Sequence, residues 1–236
     1  MNSFCGDVSM TFASVRGNLP KVYPGKYGWL GKWIAYRHLN RLKKIDYVLS
    51  MTHSMSIMVE NHIGRNSTII GNFVDESSLK SFRRERSIEG AYRFVYTGSL
   101  AHGKQPKLLI MAIANLNERG INVRLDIFGD GPLLKQLKAI SLELKLTKLI
   151  NFHGYISNPF DQIVQADVMV NPSLSEGVSR SALEALYLGV PCIMRDVDGN
   201  SELITSGLNG ELFFEISPTS AKWLESKTYL DYVRGK

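Results

Sequence analysis

Long apolar runs are missing from this chain. Nothing in its 236 residues approaches the roughly 18 consecutive apolar residues that a membrane span needs. Cysteine is nearly missing too: Cys5 and Cys192 are too few for a disulfide scaffold, and Cys192 lies in the apolar run Pro191-Cys-Ile-Met194, where a buried free thiol is expected. The N-terminus lacks the basic, apolar, then small-residue pattern of a secretory signal, so a reduced, cytoplasmic setting is expected. The histidines (His38, His53, His62, His102, His153) show no metal-ligand spacing, and the cysteines add none. No acid stands at a readable spacing to orient His153, which reads as an ordinary loop or core histidine. Neither a Gly-x-Ser-x-Gly nucleophile motif nor a phosphate-binding P-loop occurs. Gly129-Asp-Gly-Pro132 begins like a dinucleotide fingerprint, but the third glycine position is Leu134 and no acid follows about 20 residues on. It reads as a tight strand-to-helix turn, with Pro132 suited to a first helical turn. A nicotinamide-dependent dehydrogenase is therefore disfavoured. Nucleic-acid binding has no support either, because no binding module is present and the bases are not interleaved with aromatics on strands.

What is present is a globular composition, 44% apolar and 21% charged, long enough for one large domain or one and a half ordinary ones. A formal charge of +6 is partly local. Residues 28–44 read GWLGKWIAYRHLNRLKK, with Trp29, Trp33 and Tyr36 at helical spacing among Lys32, Arg37, Arg41, Lys43 and Lys44. Two readings fit. The helix lies peripherally on an anionic bilayer; or, more plainly, it packs on its own domain and leaves a basic face in water.

The second half alternates. Strand-like runs fall at residues 93–97, 123–128, 149–152, 168–171, 191–194 and 211–214, with helical patterns at 107–119, 132–144, 179–188 and 201–206. Such alternation predicts an α/β fold, a Rossmann-like doubly wound parallel sheet covered on both faces. The strands are near-continuous apolar runs, as doubly buried strands should be. Before residue 72 the pattern predicts only a partial α/β unit: the basic helix, a strand at 45–51, a helix at 54–62 and a strand at 67–70. Residues 73–90 read as a polar linker, 91–215 as the complete domain, and 216–236 as a tail with one helix.

The most informative segment is Glu176-Gly-Val-Ser-Arg-Ser-Ala-Leu-Glu184. It sets two carboxylates eight positions apart around a helix start, directly after the apolar strand Val168-Met-Val170. Glu184 falls within the otherwise apolar Ala182-Leu-Glu-Ala-Leu186, where a carboxylate needs partners. The paired hydroxyls of a ribose would suit it. The amides of Gly177, Val178, Ser179 and Arg180 open the helix and suit a diphosphate. The plainer reading makes Glu184 a solvated acid and Glu176 an ordinary loop residue. Tyr96-Thr-Gly-Ser-Leu100, with Lys104 six residues after Gly98, ends a strand on a glycine and offers a point charge for phosphate, or only a surface lysine. Asp196-Val-Asp-Gly-Asn-Ser-Glu202 follows another strand, either as part of the ligand crevice or as a polar surface loop.

These pieces together resemble the C-terminal, donor-binding domain of the retaining family-four glycosyltransferases of GT-B fold. The matching residues are Gly98 with Lys104, Gly129-Asp-Gly-Pro132, Phe152-His-Gly154, Ala166-Asp167, Pro172-Ser-Leu-Ser-Glu-Gly177, Glu184-Ala185, Gly189-Val-Pro191, Glu202 and Gly207-Leu-Asn-Gly210. The resemblance implies that Glu176 contacts the transferred sugar and acts with Lys104 as the catalytic pair. It implies that Glu184 holds the ribose, that Lys104 and the amides of Gly177, Val178 and Ser179 bind the diphosphate, and that Gly98, Ser99 and Arg180 belong to the same donor-binding set. It also implies that Gly154, Tyr155 and their neighbour Ile156 meet the base. A nucleotide-sugar donor, a glycan or lipid-linked glycan acceptor, and no metal or other cofactor follow from it, as does a role in bacterial surface polysaccharide synthesis at the inner face of the membrane. Where the family usually has arginine after the first glycine, this chain has Ser99; Arg180 is the cation placed to compensate. Residues 1–72 correspond to the last part of the family's N-terminal, acceptor-side domain, which suggests a fragment or truncated form. A non-catalytic nucleotide-sugar-binding remnant and a GT-B-fold nucleotide-sugar epimerase remain as alternatives.

Overall fold

The structure is a computed structural model that describes residues 10–82 and 90–214. The expected tail helix, the charged stretch from Arg83 to Glu89, and Cys5 lie outside the described residues. The chain divides into two compact units, Met1–Gly71 and Asn72–Lys236.

In the first unit β1 (Phe12–Val15), β2 (Tyr47–Ser50) and β3 (Thr68–Ile69) form a parallel sheet in that order. The helices are α1 (Leu19–Tyr27), α2 (Gly31–Arg41) and α3 (His53–Ile63). Val15, Leu39, Leu42, Val48 and Val59 make the core. Thr52 caps α3 by accepting from the Met55 amide at 3.1 Å, and Gly64 ends it in the left-handed conformation at φ 74°. Strand β1 and helix α1 go beyond the sequence expectation. β1 is only four residues, FASV. α1 contains Pro20 and Pro24, which argue against a helix; Pro20, however, stands in its first turn, where a missing N–H removes no helical bond.

The second unit carries β4 (Tyr92–Thr97), β5 (Val123–Phe128), β6 (Ile150–Gly154), β7 (Val168–Asn171), β8 (Cys192–Arg195) and β9 (Gly210–Phe213). All pair in parallel, in the order β6-β5-β4-β7-β8-β9. This is the doubly wound order of the Rossmann fold. Its helices are α4 (Glu76–Leu79), α5 (Lys107–Glu118), α6 (Leu134–Glu143), α7 (Phe160–Val164), α8 (Arg180–Tyr187) and α9 (Asn200–Leu203). Alternate strand residues feed two cores. Phe94, Tyr96, Leu125, Ile127, Val168 and Val170 pack with α5 and α6. Val95, Phe128, Met169, Cys192 and Met194 pack with α7 and α8. Cys192 is the expected buried thiol, and burial pushes its pKa up. The stretch read as polar linker is anchored at its start: Leu79 is 1% exposed in the second core, and the Phe82 ring stands edge-on to Phe160 at 5.6 Å.

Strand order reverses between β4 and β7, so the loops leaving their carboxyl ends part and open a crevice. Neighbouring loops on one side are knitted beyond the strand ends. Gly98 N donates to Phe128 O at 2.9 Å, Leu100 N to Asp130 O at 2.9 Å, and Gly129 N to Gly154 O at 2.7 Å. Gly129, at φ 143°, has no room for a side chain: a β-carbon there would overlap the Gly98 carbonyl oxygen. That is the physical content of the Gly-Asp-Gly-Pro turn. Gly129→Ala should cost about 3 kcal/mol, through overpacking against rigid backbone and an unfavourable φ. Urea denaturation should show a lower midpoint at unchanged slope. A midpoint equal to wild type would mean the loops do not meet in this way.

Candidate functional site

A cleft of about 620 Å³ lies at this switch point. Gly98, Ser99 and Lys104 line it from the loop after β4, and Gly129 and Asp130 from the loop after β5. Tyr155, Ile156 and Ser157 follow β6; Asn171, Ser173 and Glu176 end and follow β7; Ser179, Arg180, Ser181 and Glu184 open α8. The two glutamates and the lysine, far apart in sequence, thus share one cavity.

Glu176 is held on one oxygen. Its Oε1 accepts from Lys104 Nζ at 2.7 Å and from Asn171 Nδ2 at 3.0 Å, and lies 2.8 Å from Ser173 Oγ. Ser173 Oγ is also 2.5 Å from Asn171 Oδ1, so its one proton serves either acceptor. Asn171 Nδ2 further donates to Ser179 Oγ at 3.2 Å. Glu176 Oε2 has no hydrogen-bond partner among the described residues, which leaves one face of a fixed, 11%-exposed carboxylate open to a ligand. Asn171 and Ser173 are buried, and the sequence reading passed over them. The available signal was the polar Asn171 at the end of a fully buried strand, since a buried amide must find partners.

Helix α8 starts at Arg180, three residues after the first of the amides expected from the sequence. Ser179 is its cap, accepting from the Ala182 amide at 3.4 Å. The amides of Arg180 and Ser181 are the first-turn donors left without partners among the described residues. Gly177 and Val178 do not line the cleft, and the Val178 carbonyl instead accepts from Asn72 Nδ2 at 2.7 Å. Gly154 is not in the lining either. It ends β6 at φ 74° and gives its carbonyl to Gly129, which brings the next residue, Tyr155, to the cleft with 79% exposure.

Glu184 points from the second turn of α8, with a side chain 20% exposed. Burial pushes its carboxyl above the usual glutamate range, opposed by Arg180, whose Nε is 4.0 Å away. Arg180 itself is well exposed at the rim. Tyr96 stands beneath Gly98 and donates its hydroxyl to Ser99 O at 3.0 Å; burial, with the Glu176 charge adding, pushes that hydroxyl's pKa up. The loop after β8 ties to the same region: Ser175 Oγ donates to Asp198 Oδ2 at 2.7 Å, and Gly199 N approaches the Glu176 carbonyl at 3.4 Å.

His153 does have an acid. Its Nε2 is 2.7 Å from Asp126 Oδ1, and its ring stacks on Phe128 at 4.4 Å. The pairing runs between neighbouring strands, a relation visible only once β5 and β6 are set in register. His153 lies outside the cleft's lining. Among the described residues no group of three His, Cys, Asp or Glu side chains is placed to hold a metal ion.

Comparison with known proteins agrees with this fold. The sequence matches the family described as glycosyl transferases group 1 over residues 77–227. It is 28% identical over 207 residues to an uncharacterized glycosyltransferase of Methanocaldococcus jannaschii, covering 83% of this chain and 50% of that protein. It is 26% identical over 209 residues to the lipopolysaccharide 1,6-galactosyltransferase of Salmonella typhimurium, covering 83% of this chain and 57% of that protein. The fold is similar to a crystal structure of an S. aureus TarM mutant in complex with fondaparinux, alpha-GlcNAc-glycerol and UDP, with TM-score 0.76 at 17% identity, over 96% of this chain and 46% of that one. The chain therefore spans about half the length of these relatives. With the family match covering most of the second unit and extending over more than half of the sequence, this chain belongs to the group 1 glycosyl transferases.

Proposed function

We propose that the cleft binds a nucleotide sugar and that this chain supplies the donor side of a retaining, family-four sugar transfer. One observation carries the reading: Glu176, Glu184, Lys104 and the open amides of α8 line a single cavity at the sheet's switch point. Glu184 accepts both ribose hydroxyls, for which a partly buried, underpartnered carboxylate is suited. The amides of Arg180 and Ser181, with Lys104 and Arg180, take the diphosphate. Tyr155 and Ile156 face the base. The open Oε2 of Glu176 accepts from sugar hydroxyls. In the transfer, the bond from the anomeric carbon to the diphosphate oxygen breaks and a bond to an acceptor hydroxyl forms on the same face. The acceptor's proton passes to the departing diphosphate, whose growing charge Lys104 and the amides stabilise. No protein nucleophile and no metal are assigned.

The TarM complex contains UDP, and the Salmonella relative is a lipopolysaccharide galactosyltransferase. Both support a nucleotide-sugar donor, a glycan or lipid-linked glycan acceptor, and a part in bacterial surface polysaccharide synthesis (O-antigen, capsule or lipopolysaccharide) on the cytoplasmic side of the inner membrane. The test is to incubate the chain with a panel of nucleotide sugars, with and without glycan acceptor, and read products by NMR. A glycoside with the donor's anomeric configuration, unaffected by EDTA, is the expected product. Free epimerised sugar without acceptor would assign an epimerase instead, and saturable binding without turnover would leave a donor-binding module.

Asn171 and Ser173 should matter through Glu176. Asn171→Ala removes a hydrogen bond to a charged acceptor, worth roughly tenfold or more in sugar-nucleotide affinity. Calorimetry should show that loss with the sugar nucleotide and little change with the bare nucleoside diphosphate. Equal losses for both ligands would mean that Asn171 does not act on the sugar side.

A further inference from the structure

The aromatic and basic surface of the first unit is a second feature, independent of the cleft. No Asp or Glu occurs in residues 19–45, while Lys26, Lys32, Arg37, Arg41, Lys43 and Lys44 are all exposed. Helix α2 buries Gly31, Ala35 and Leu39, one stripe at steps of four. Gly31 is pressed so closely on α1 that a β-carbon would overlap the Tyr23 carbonyl oxygen, so this stripe is the face turned to the protein. At about 100° per residue, Trp33 lies roughly 200° around the helix from Ala35. It is 56% exposed; Tyr36 is 55% and Trp29, one turn earlier, 88% exposed. The Arg37 guanidinium sits over the Trp33 ring at 4.8 Å. An amphipathic helix packed on its own domain would bury its rings and solvate its bases. Here Gly31, Ala35 and Leu39 are buried, and rings and bases project together.

We propose that this face docks peripherally on an anionic phospholipid bilayer. Tryptophan and tyrosine rings suit the headgroup–acyl boundary, having an apolar body and a polar edge. The surrounding cations suit lipid phosphates; residues 19–45 contribute no carboxylate, and Asp46 is the acid that stands beside Lys43 and Lys44 at the edge of the patch. Charge complementarity selects this occupant over a second copy of the chain, whose equivalent patch would be equally positive. The proposal rests on the first unit alone and does not depend on the donor site.

The test uses the full chain with vesicles of phosphatidylcholine, alone or mixed with phosphatidylglycerol. Cosedimentation should occur with the mixed vesicles, fall roughly tenfold on phosphatidylcholine alone, and weaken as salt rises. The double variant Trp29→Ala/Trp33→Ala should lose roughly tenfold in partitioning with an unchanged circular dichroism melt. Lys32→Glu/Arg37→Glu, on exposed positions, should lose at least as much and serves if the tryptophan variant is unstable. The proposal is overturned by no partitioning into the mixed vesicles, by equal and salt-independent binding to both vesicles, or by charge variants that bind like wild type. Self-association of the wild type that the tryptophan variant abolishes, without vesicle binding, would assign the face to a second copy and overturn it too.

Discussion

Glu184→Ala should weaken sugar-nucleotide binding by roughly a hundredfold and at the same time stabilise the unliganded chain at neutral pH. The first effect follows from two hydrogen bonds to an ionised acceptor, together worth roughly 3 kcal/mol. The second follows from the direction of the pKa shift. Burial raises the Glu184 pKa in the folded chain, with only Arg180 opposing it. A raised carboxylate pKa means that ionisation is less favourable folded than unfolded. The penalty is absent below the unfolded pKa, grows as pH rises through the ordinary glutamate range, and is complete above the folded pKa. Removing the carboxyl should therefore raise the urea midpoint at pH 7 and leave it nearly unchanged at pH 3. The same direction predicts that donor affinity in the wild type begins to fall, on acidification, at a higher pH than an ordinary glutamate would give. Such opposition between stability and binding is expected where a charge is kept for a ligand. A variant that binds donor normally, or is less stable at pH 7, would mean that Glu184 is a structural acid.

Lys104→Ala should lower transfer by roughly a thousandfold, the scale of losing one preorganised charge at a departing anion. Lys104 already sits 2.7 Å from Glu176 Oε1, between the proposed sugar and diphosphate positions. Its removal takes away the diphosphate's cation and one of the three groups fixing Glu176. Nucleoside diphosphate affinity should therefore fall, and nucleoside monophosphate affinity should fall less. Glu176→Gln is the matched control, because it keeps the size of the side chain and removes its charge. It should lower sugar-nucleotide affinity and turnover while leaving the nucleoside diphosphate dissociation constant within twofold, on the order of a hydrogen bond's smallest contribution. If both variants changed diphosphate affinity alike, Lys104 and Glu176 would be acting only as an ion pair. Arg180→Ala should weaken diphosphate binding as well, if its guanidinium stands in for the arginine absent at Ser99.

The sheet was legible because buried parallel strands write themselves as apolar runs. Val168-Met-Val-Asn171 and Val123 to Phe128 begin and end where the sequence pattern does. The pairing of Glu176 with Lys104 within one cavity was legible only through motif order, since no spacing reveals that the β4 and β7 loops meet. Three details were hidden for physical reasons. The start of α8 is fixed by the hydroxyl of Ser179 rather than by the flexible Gly177, so the open amides are those of Arg180 and Ser181 instead of a set beginning at Gly177. The link from Asp126 to His153 runs across strands and needs the sheet register. The short α4 looks like linker by composition, and only Leu79, facing the second core, anchors it. In the first unit, Pro20 and Pro24 disguised α1, and the bases of residues 32–44 overshadowed the stripe of Gly31, Ala35 and Leu39 that α2 buries.

Calorimetric titration of the wild-type chain with uridine, guanosine, adenosine and thymidine diphosphate sugars is the most direct measurement, repeated on Glu184→Ala and Lys104→Ala. Saturable one-site binding of at least one of these donors, lost or greatly weakened in both variants while their folds melt normally, is the predicted result. Binding to none of them, or binding that both variants retain at wild-type strength, would contradict the assignment of the cleft to an activated sugar.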